Sequence, residues 1–246
     1  MKKRVWLIVF GTGLIVLSIA LYALHYLIYR DFYHIGIYTL GDIAFLPLEV
    51  LLVTLVVHQV LESHDRRQRI EKLNVIVGAF FSALGTYLLA YISDNDPNLD
   101  EIRPQLMVAE TWTEETFSRV EERLKRHPCR IGAEGIDFSA LKDLLGSREE
   151  FLLRLLENPV LIEHEWFTEL LQAIFHFNEE LKSRPGFSDL PDADIAHLAR
   201  DLERIYGLLI REWLEYMRYL QKNYPYLFSL AMRRNPFDEK ASAIIR

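Results

Sequence analysis

Ile43–Ile92 reads IAFLPLEVLLVTLVVHQVLESHDRRQRIEKLNVIVGAFFSALGTYLLAYI. It joins a membrane-length apolar run carrying one acid, Glu49, to a charged collar and then to a second, uncharged apolar run. Upstream, Val5–Tyr29 is another uncharged stretch, preceded by Lys2, Lys3 and Arg4. About 20 apolar residues cross a hydrocarbon core, so Val5–Tyr29 and Ile43–Leu61 predict two transmembrane helices. A cleaved signal peptide is the rival for the first, but its apolar region is too long and Leu21-Tyr22-Ala23 is a poor cleavage site. Between them Arg30–Asp42 predicts a loop whose Phe32, Tyr33, His34 and Tyr38 suit a membrane–water interface. Pro47 sits in the first turns of the second helix or kinks it.

Lys2, Lys3 and Arg4 flank the start of the first helix, and Arg66, Arg67, Arg69 and Lys72 follow the second. Positive charge stays on the cytoplasmic side, which predicts a hairpin with both termini cytoplasmic. The division expected is an anchor at 1–62, a juxtamembrane or core helix at 63–92, and an acidic helical cytoplasmic domain at 93–246. Leu73–Ile92 is long enough to be a third crossing, but Asn74, Ser82, Thr86 and Tyr87 interrupt it. Gly78, Ser82 and Thr86 recur every four residues, a small-residue stripe that permits close helix contact. Two crossings, with 73–92 continuing as a core helix, is the preferred reading.

Residues 1–92 carry a net charge of +2 and residues 93–246 a net charge of −9. The acidic second part argues against nucleic acid, which needs a basic face. Cys129 is the one cysteine, so no intrachain disulfide forms. Beyond the loop at 93–104 the chain reads as helix after helix, and the fold class expected is all-α. Thr111–Glu114 has a capping-box pattern. Asp137 or Ser139 caps a short helix ending near Gly146, and Ser147 opens the next. Leu161–Leu181 is a longer helix, with Leu170, Leu171, Ile174, Phe175 and Phe177 apolar. The longest starts at Pro191, Asp192 and Asp194 and runs to about Tyr224, with apolar positions from Ile195 to Leu209 at the 3.6 period.

P-loop, nucleophile-elbow and C-x-x-C patterns are absent. His164-Glu165 begins an H-E-x-x-H zinc motif, but Thr168 stands where the second His must be. Glu165, Glu169, Gln172, His176 and either Glu179 or Glu180 fall near one helix face, and Asp194 and His197 lie three apart on another. Helical carboxylate sites use Glu-x-x-His from two helices, and only one Asp-x-x-His is present, so these residues read first as solvated faces and no cofactor is expected. Trp166, Trp213, Tyr206, Tyr216 and Tyr219 read as core and rim aromatics.

Asn223–Glu239 (NYPYLFSLAMRRNPFDE) and Ile70–Gly85 (IEKLNVIVGAFFSALG) resemble an uncharacterised prokaryotic family of small membrane proteins with two N-terminal transmembrane helices and a cytoplasmic helical domain. The resemblance implies topology and no chemistry; in it an acid can stand near Ala83, which suits a cytoplasmic helix. The function expected is a membrane-anchored helical module that binds a partner or itself, with the bilayer as its other partner. One alternative is an oligomeric ion or proton conductance built on Glu49, which is expected to hydrogen-bond Tyr22 or His25, with Asp42 extending the polar strip. The other is a metal-dependent helical enzyme.

Overall fold

The structure, a computed structural model, describes residues 2–161 and 164–244. The side chains of Lys2, Lys3, Arg4, Arg66, Arg67 and Arg69, on which the expected orientation rests, and those of Phe32 and His34, lie outside the described residues. The chain is all-helical, with no strand among the described residues. It divides into two compact units, 1–66 and 67–246.

In the first unit α1 (Lys2–Tyr29) ends at a tight turn. Arg30 takes a left-handed φ of 48°, and the Asp31 carboxylate accepts the Tyr33 N–H at 2.9 Å. The helix α2 (Phe32–Phe80) begins at once and holds Pro47 in its interior. The loop expected over Arg30–Asp42 is therefore corrected to two residues. Phe32–Leu40 contains no Pro, and its glycine, Gly36, is no barrier to a helix in apolar surroundings. Val9–Ile28 and Ile35–Gln59 are each long and apolar enough to cross a membrane, and neither has any residue buried.

In the second unit Ile70–Ser93 also has that length and composition, but 44% of it is buried inside the protein. A π turn at Phe81–Gly85 interrupts it before α3 (Thr86–Ser93), with the Thr86 N–H reaching back five residues to the Phe81 carbonyl. The extra residue lets the adjacent Phe80 and Phe81 both enter the core, at 0% and 2% exposure. Gly85 makes room for this, because a Cβ there would stand 2.5 Å from the Phe80 ring.

The remaining helices are α4 (Leu99–Ile102), α5 (Glu114–Leu124), α6 (Phe138–Ser147), α7 (Glu149–Leu156), α8 (Glu165–Lys182), α9 (Asp192–Asn223) and α10 (Pro225–Arg233). The central α9 packs against α3, α5, α8 and α10. Leu198, Leu202, Ile205, Leu208 and Leu209 are buried as their spacing predicts, as are Leu170, Leu171, Ile174 and Phe177 of α8. Several starts shift. Thr113, not Thr111, caps α5 by accepting the Thr116 N–H, so the expected capping box is two residues early. Asp137 caps α6 as expected. The helix expected from Leu161 begins at Glu165, where the His164 ring accepts the Phe167 N–H at 3.1 Å. A ring nitrogen serves there in place of the usual hydroxyl or carboxylate cap.

Beyond α10 the tail docks on the same unit. The Asn235 amide donates to the Leu106 carbonyl at 2.8 Å and accepts the Phe237 N–H at 3.0 Å. Phe237 then stands edge-on to Trp213, ring centres 5.0 Å apart.

Candidate functional site: an aromatic groove

The π turn and α10 frame an open groove of about 400 Å³ in the second unit. One wall is Asn74, Gly78, Phe81, Ser82 and Thr86; the floor is Trp213, Tyr216, Met217 and Leu220; the far rim is Tyr224, Leu227, Leu230 and Arg234. The small-residue stripe thus faces this groove. Gly78 brings the helix onto Tyr216, whose hydroxyl would lie 3.2 Å from a Cβ at that position. Tyr216 in turn stacks on Phe81 at 5.2 Å and 12°. Ser82 is exposed and Thr86 half-buried, so two hydroxyls remain on the open wall.

The groove is mostly apolar, with a few placed polar groups, as ligand and partner sites usually are. Burial and the neighbouring Tyr224 hydroxyl push the Tyr219 phenol up to about 12, so it stays neutral and can donate. Among the lining residues only Arg234 is charged. Val75 on the same wall is 68% exposed, and Tyr226, edge-on to Tyr224, is 71% exposed, which extends the apolar surface outward. This geometry accepts an apolar segment with a hydrogen-bonding edge. It sets no nucleophile beside a base.

A buried polar cluster lies elsewhere in the unit. The Asp96 carboxylate meets His127 Nε2 at 2.9 Å and accepts the Asn98 N–H at 2.8 Å. Burial, then Asp96, pushes the nearby Tyr206 hydroxyl above its ordinary range. Cys129 is pushed up to about 11 by burial, then by Asp96 and Glu203. A cysteine, histidine and aspartate thus come close together, but the thiol is held protonated and His127 is engaged with Asp96. Reactive cysteines need the opposite electrostatics. The cluster ties the 94–98 and 125–131 segments to α9, and Glu203 adds a bond to the Ile131 N–H at 3.1 Å.

The polar residues of the apolar helices stand as follows. Glu49 and Asp42 are exposed, Tyr22 is 42% exposed and His25 is half-buried. No hydrogen bond or ion pair joins Glu49 to another described residue. Glu49 lies near the middle of Ile35–Gln59, about 21 Å from Ile35 at 1.5 Å per residue. Counted back from the Arg30–Asp31 turn, the residue of α1 at the same remove is Thr12.

Of the weak metal candidates, Glu165 is exposed in the first turn of α8 and Glu169 pairs with Arg204 at 2.9 Å. Asp194 is held by two bonds from Arg184, each 2.7 Å. His176 and His197 do come together, with Glu180 and the unanticipated Asp201. No group of three or more His, Cys, Asp or Glu side chains among the described residues could hold a metal ion. Two further groups escaped sequence reasoning. Asn235 anchors the tail, and an Asn-Pro pair after a helix was its only signal. Glu212 is 4% exposed in the middle of α9, and its charge is out of place in that helix's apolar face.

Two family profiles match the chain, described as the N-terminal helical domain of MJ1433 over residues 2–61 and the C-terminal helical domain of uncharacterized protein MJ1433 over residues 69–233. A relative from Methanocaldococcus jannaschii, uncharacterized protein MJ1433, is 43% identical over 244 residues, covering 99% of this chain and 98% of its own length. No solved structure matches. The chain belongs to the MJ1433 family.

Proposed function

We propose that this MJ1433-family chain is a membrane-anchored helical module whose second unit is cytoplasmic and acts by binding a partner protein, or a second copy of itself, through the aromatic groove. The observation that carries the anchor is the contrast among the apolar segments. The first two have no buried residue, whereas the third supplies Leu73, Val77, Phe80, Phe81, Leu84 and Leu88 to a protein core. Apolar surface on the scale of the first two is not left in water by a soluble monomer. A helix with 44% of its length buried in a domain of mixed polarity has only part of its surface to offer to lipid, which favours two crossings over three. The basic flanks of the two crossings in the sequence support a cytoplasmic location for both termini.

The test has two arms. A C-terminal reporter active only in the cytoplasm should work, and activity of a reporter that needs export would overturn the topology. A photo-crosslinking residue at Ser82, on the open wall, should trap a neighbour in membranes, while one at exposed Arg154 should not. Equal trapping at both sites would remove the groove from the proposal.

A second reading is carried by Glu49. An acid well inside an apolar crossing is costly unless it is paired or lines a polar path. Self-association that brings Glu49 against polar residues of another copy would relieve it. Glu49→Gln keeps the hydrogen bonding and removes the charge. Assembly that survives this change supports a packing role, and loss of a proton-coupled phenotype supports conductance.

A further inference from the structure

Two apolar side chains project beside the aromatic groove. Tyr226 is 71% exposed and stands edge-on to Tyr224 of the rim, ring centres 6.3 Å apart. It lies outside the groove's lining, and its hydroxyl makes no hydrogen bond with a described residue. Val75, on the wall that holds Asn74 and Ser82, is 68% exposed.

We propose that the groove's partner is a second copy of this chain, packed about a two-fold axis so that each copy's Tyr226 enters the other's groove. This rests on the groove being the binding site and names what fills it.

The two surfaces match in chemistry. The groove offers an apolar floor at Tyr216 and Met217 and the open hydroxyls of Ser82 and Thr86 on its wall. A tyrosine ring with a free hydroxyl is apolar in its body and polar at its tip, which suits that floor and wall. Knob and groove lie on one patch, so the contact repeats when the copies exchange roles, as a two-fold interface requires.

Charge selects the same patch. Residues 93–246 carry a net charge of −9, so two copies repel across much of their surface. The groove's lining holds no acid, and its one charged residue is Arg234. Here two copies meet without setting acid against acid.

Size favours a partner held in the membrane. Sixteen residues line the groove, fewer than the roughly 20–30 a side of a standard stable interface. A soluble protein docked on so small a patch would bind weakly. A second copy carries its own two apolar helices. Confinement of both copies to one bilayer raises their effective concentration, as a short linker does.

The test extends the Ser82 crosslink. Two forms of the full chain, each with a different affinity tag, are expressed together, and one of them carries the photo-crosslinking residue. At Ser82 it should give an adduct of two 28.9 kDa chains that bears both tags and is joined to α10 of the other copy. An aromatic photo-crosslinker in place of Tyr226 should join to residues 74–82 of the other copy, because a two-fold contact is reciprocal. Tyr226→Ala in both copies removes both knobs and should lower the two-tag adduct from Ser82 at least ~10-fold. Tyr226 is exposed, so the melting of the chain should stay unchanged. An adduct with another protein or with lipid would overturn the second copy and leave the groove as a site. A two-tag adduct joined outside the groove and α10, or one indifferent to Tyr226→Ala, would also overturn it. No adduct at either position would overturn this inference and the groove together.

Discussion

Glu212 offers a sharp test of the second unit's electrostatics. It lies on the buried side of α9 at 4% exposure, beside Leu208 and Leu209 in sequence. Burial, with a smaller push from Glu215, raises its carboxyl from the ordinary 4.5 to about 7, and Arg211 offsets only part of that. The sign follows from proton counts. Between about pH 4.5 and 7 the folded chain holds a proton that the unfolded chain has released, so stability falls as pH rises through that window. The associated stability is fully present below the lower value and fully lost above the higher. A shift of this size at 1.36 kcal/mol per unit amounts to about 3 kcal/mol. Glu212→Gln keeps the shape of the neutral acid and cannot ionise. The variant and parent should therefore melt alike near pH 4 and diverge up to about pH 8. There the variant should be more stable by about 3 kcal/mol, or roughly 6–12 °C for a unit of this size. The assay is circular-dichroism melting of the full chain in a nonionic detergent across that range. Parallel pH profiles for the two chains would refute the reasoning, because no other group differs between them.

Replacing His127 by Ala should cost about 1–3 kcal/mol in the same melting assay, since it leaves the buried Asp96 Oδ2 without its hydrogen-bond partner at 2.9 Å. Gly85→Ala should destabilise by about 1–3 kcal/mol, because the new methyl must displace the packed Phe80 and Phe81 rings. The gain in helix propensity, about 1 kcal/mol, is too small to reverse that sign, so an unchanged or raised melting temperature would count against the packing described. A chain truncated to begin near residue 70 should fold cooperatively. One beginning near 95 should aggregate, because it lacks Phe80, Phe81, Leu84 and Leu88 from the core; equal melting of the two would contradict the role given to that helix.

The helical class and the long elements were legible because their signals are periodic. Leu198 to Leu209 and Leu170 to Phe177 repeat at helical spacing and are buried accordingly. Val75, in an apolar run, is nevertheless 68% exposed, on the groove. The tight Arg30–Asp31 turn was hidden because the residues after it are aromatic and small, a mixture that reads as an interfacial loop. The groove was hidden because it depends on α10 folding back and on a π turn, and neither follows from apolar spacing. Asp96 and His127 lie 31 residues apart in irregular segments, where no period applies. Asp201 was within reach: the His-x-x-x-acid spacing occurs on both α8 and α9, but the pattern sought was Glu-x-x-His.

Docking of Asn235 and Phe237 bears on how the second unit folds. Asn235 closes on the Leu106 carbonyl and Phe237 on Trp213, so residues 235–237 complete a core begun near residue 73. Contacts spanning so much of the chain form slowly. Until they form, the Trp213 face stays uncovered and the unit is open to chaperones and to neighbouring copies; the arrival of Phe237 is the event that seals it.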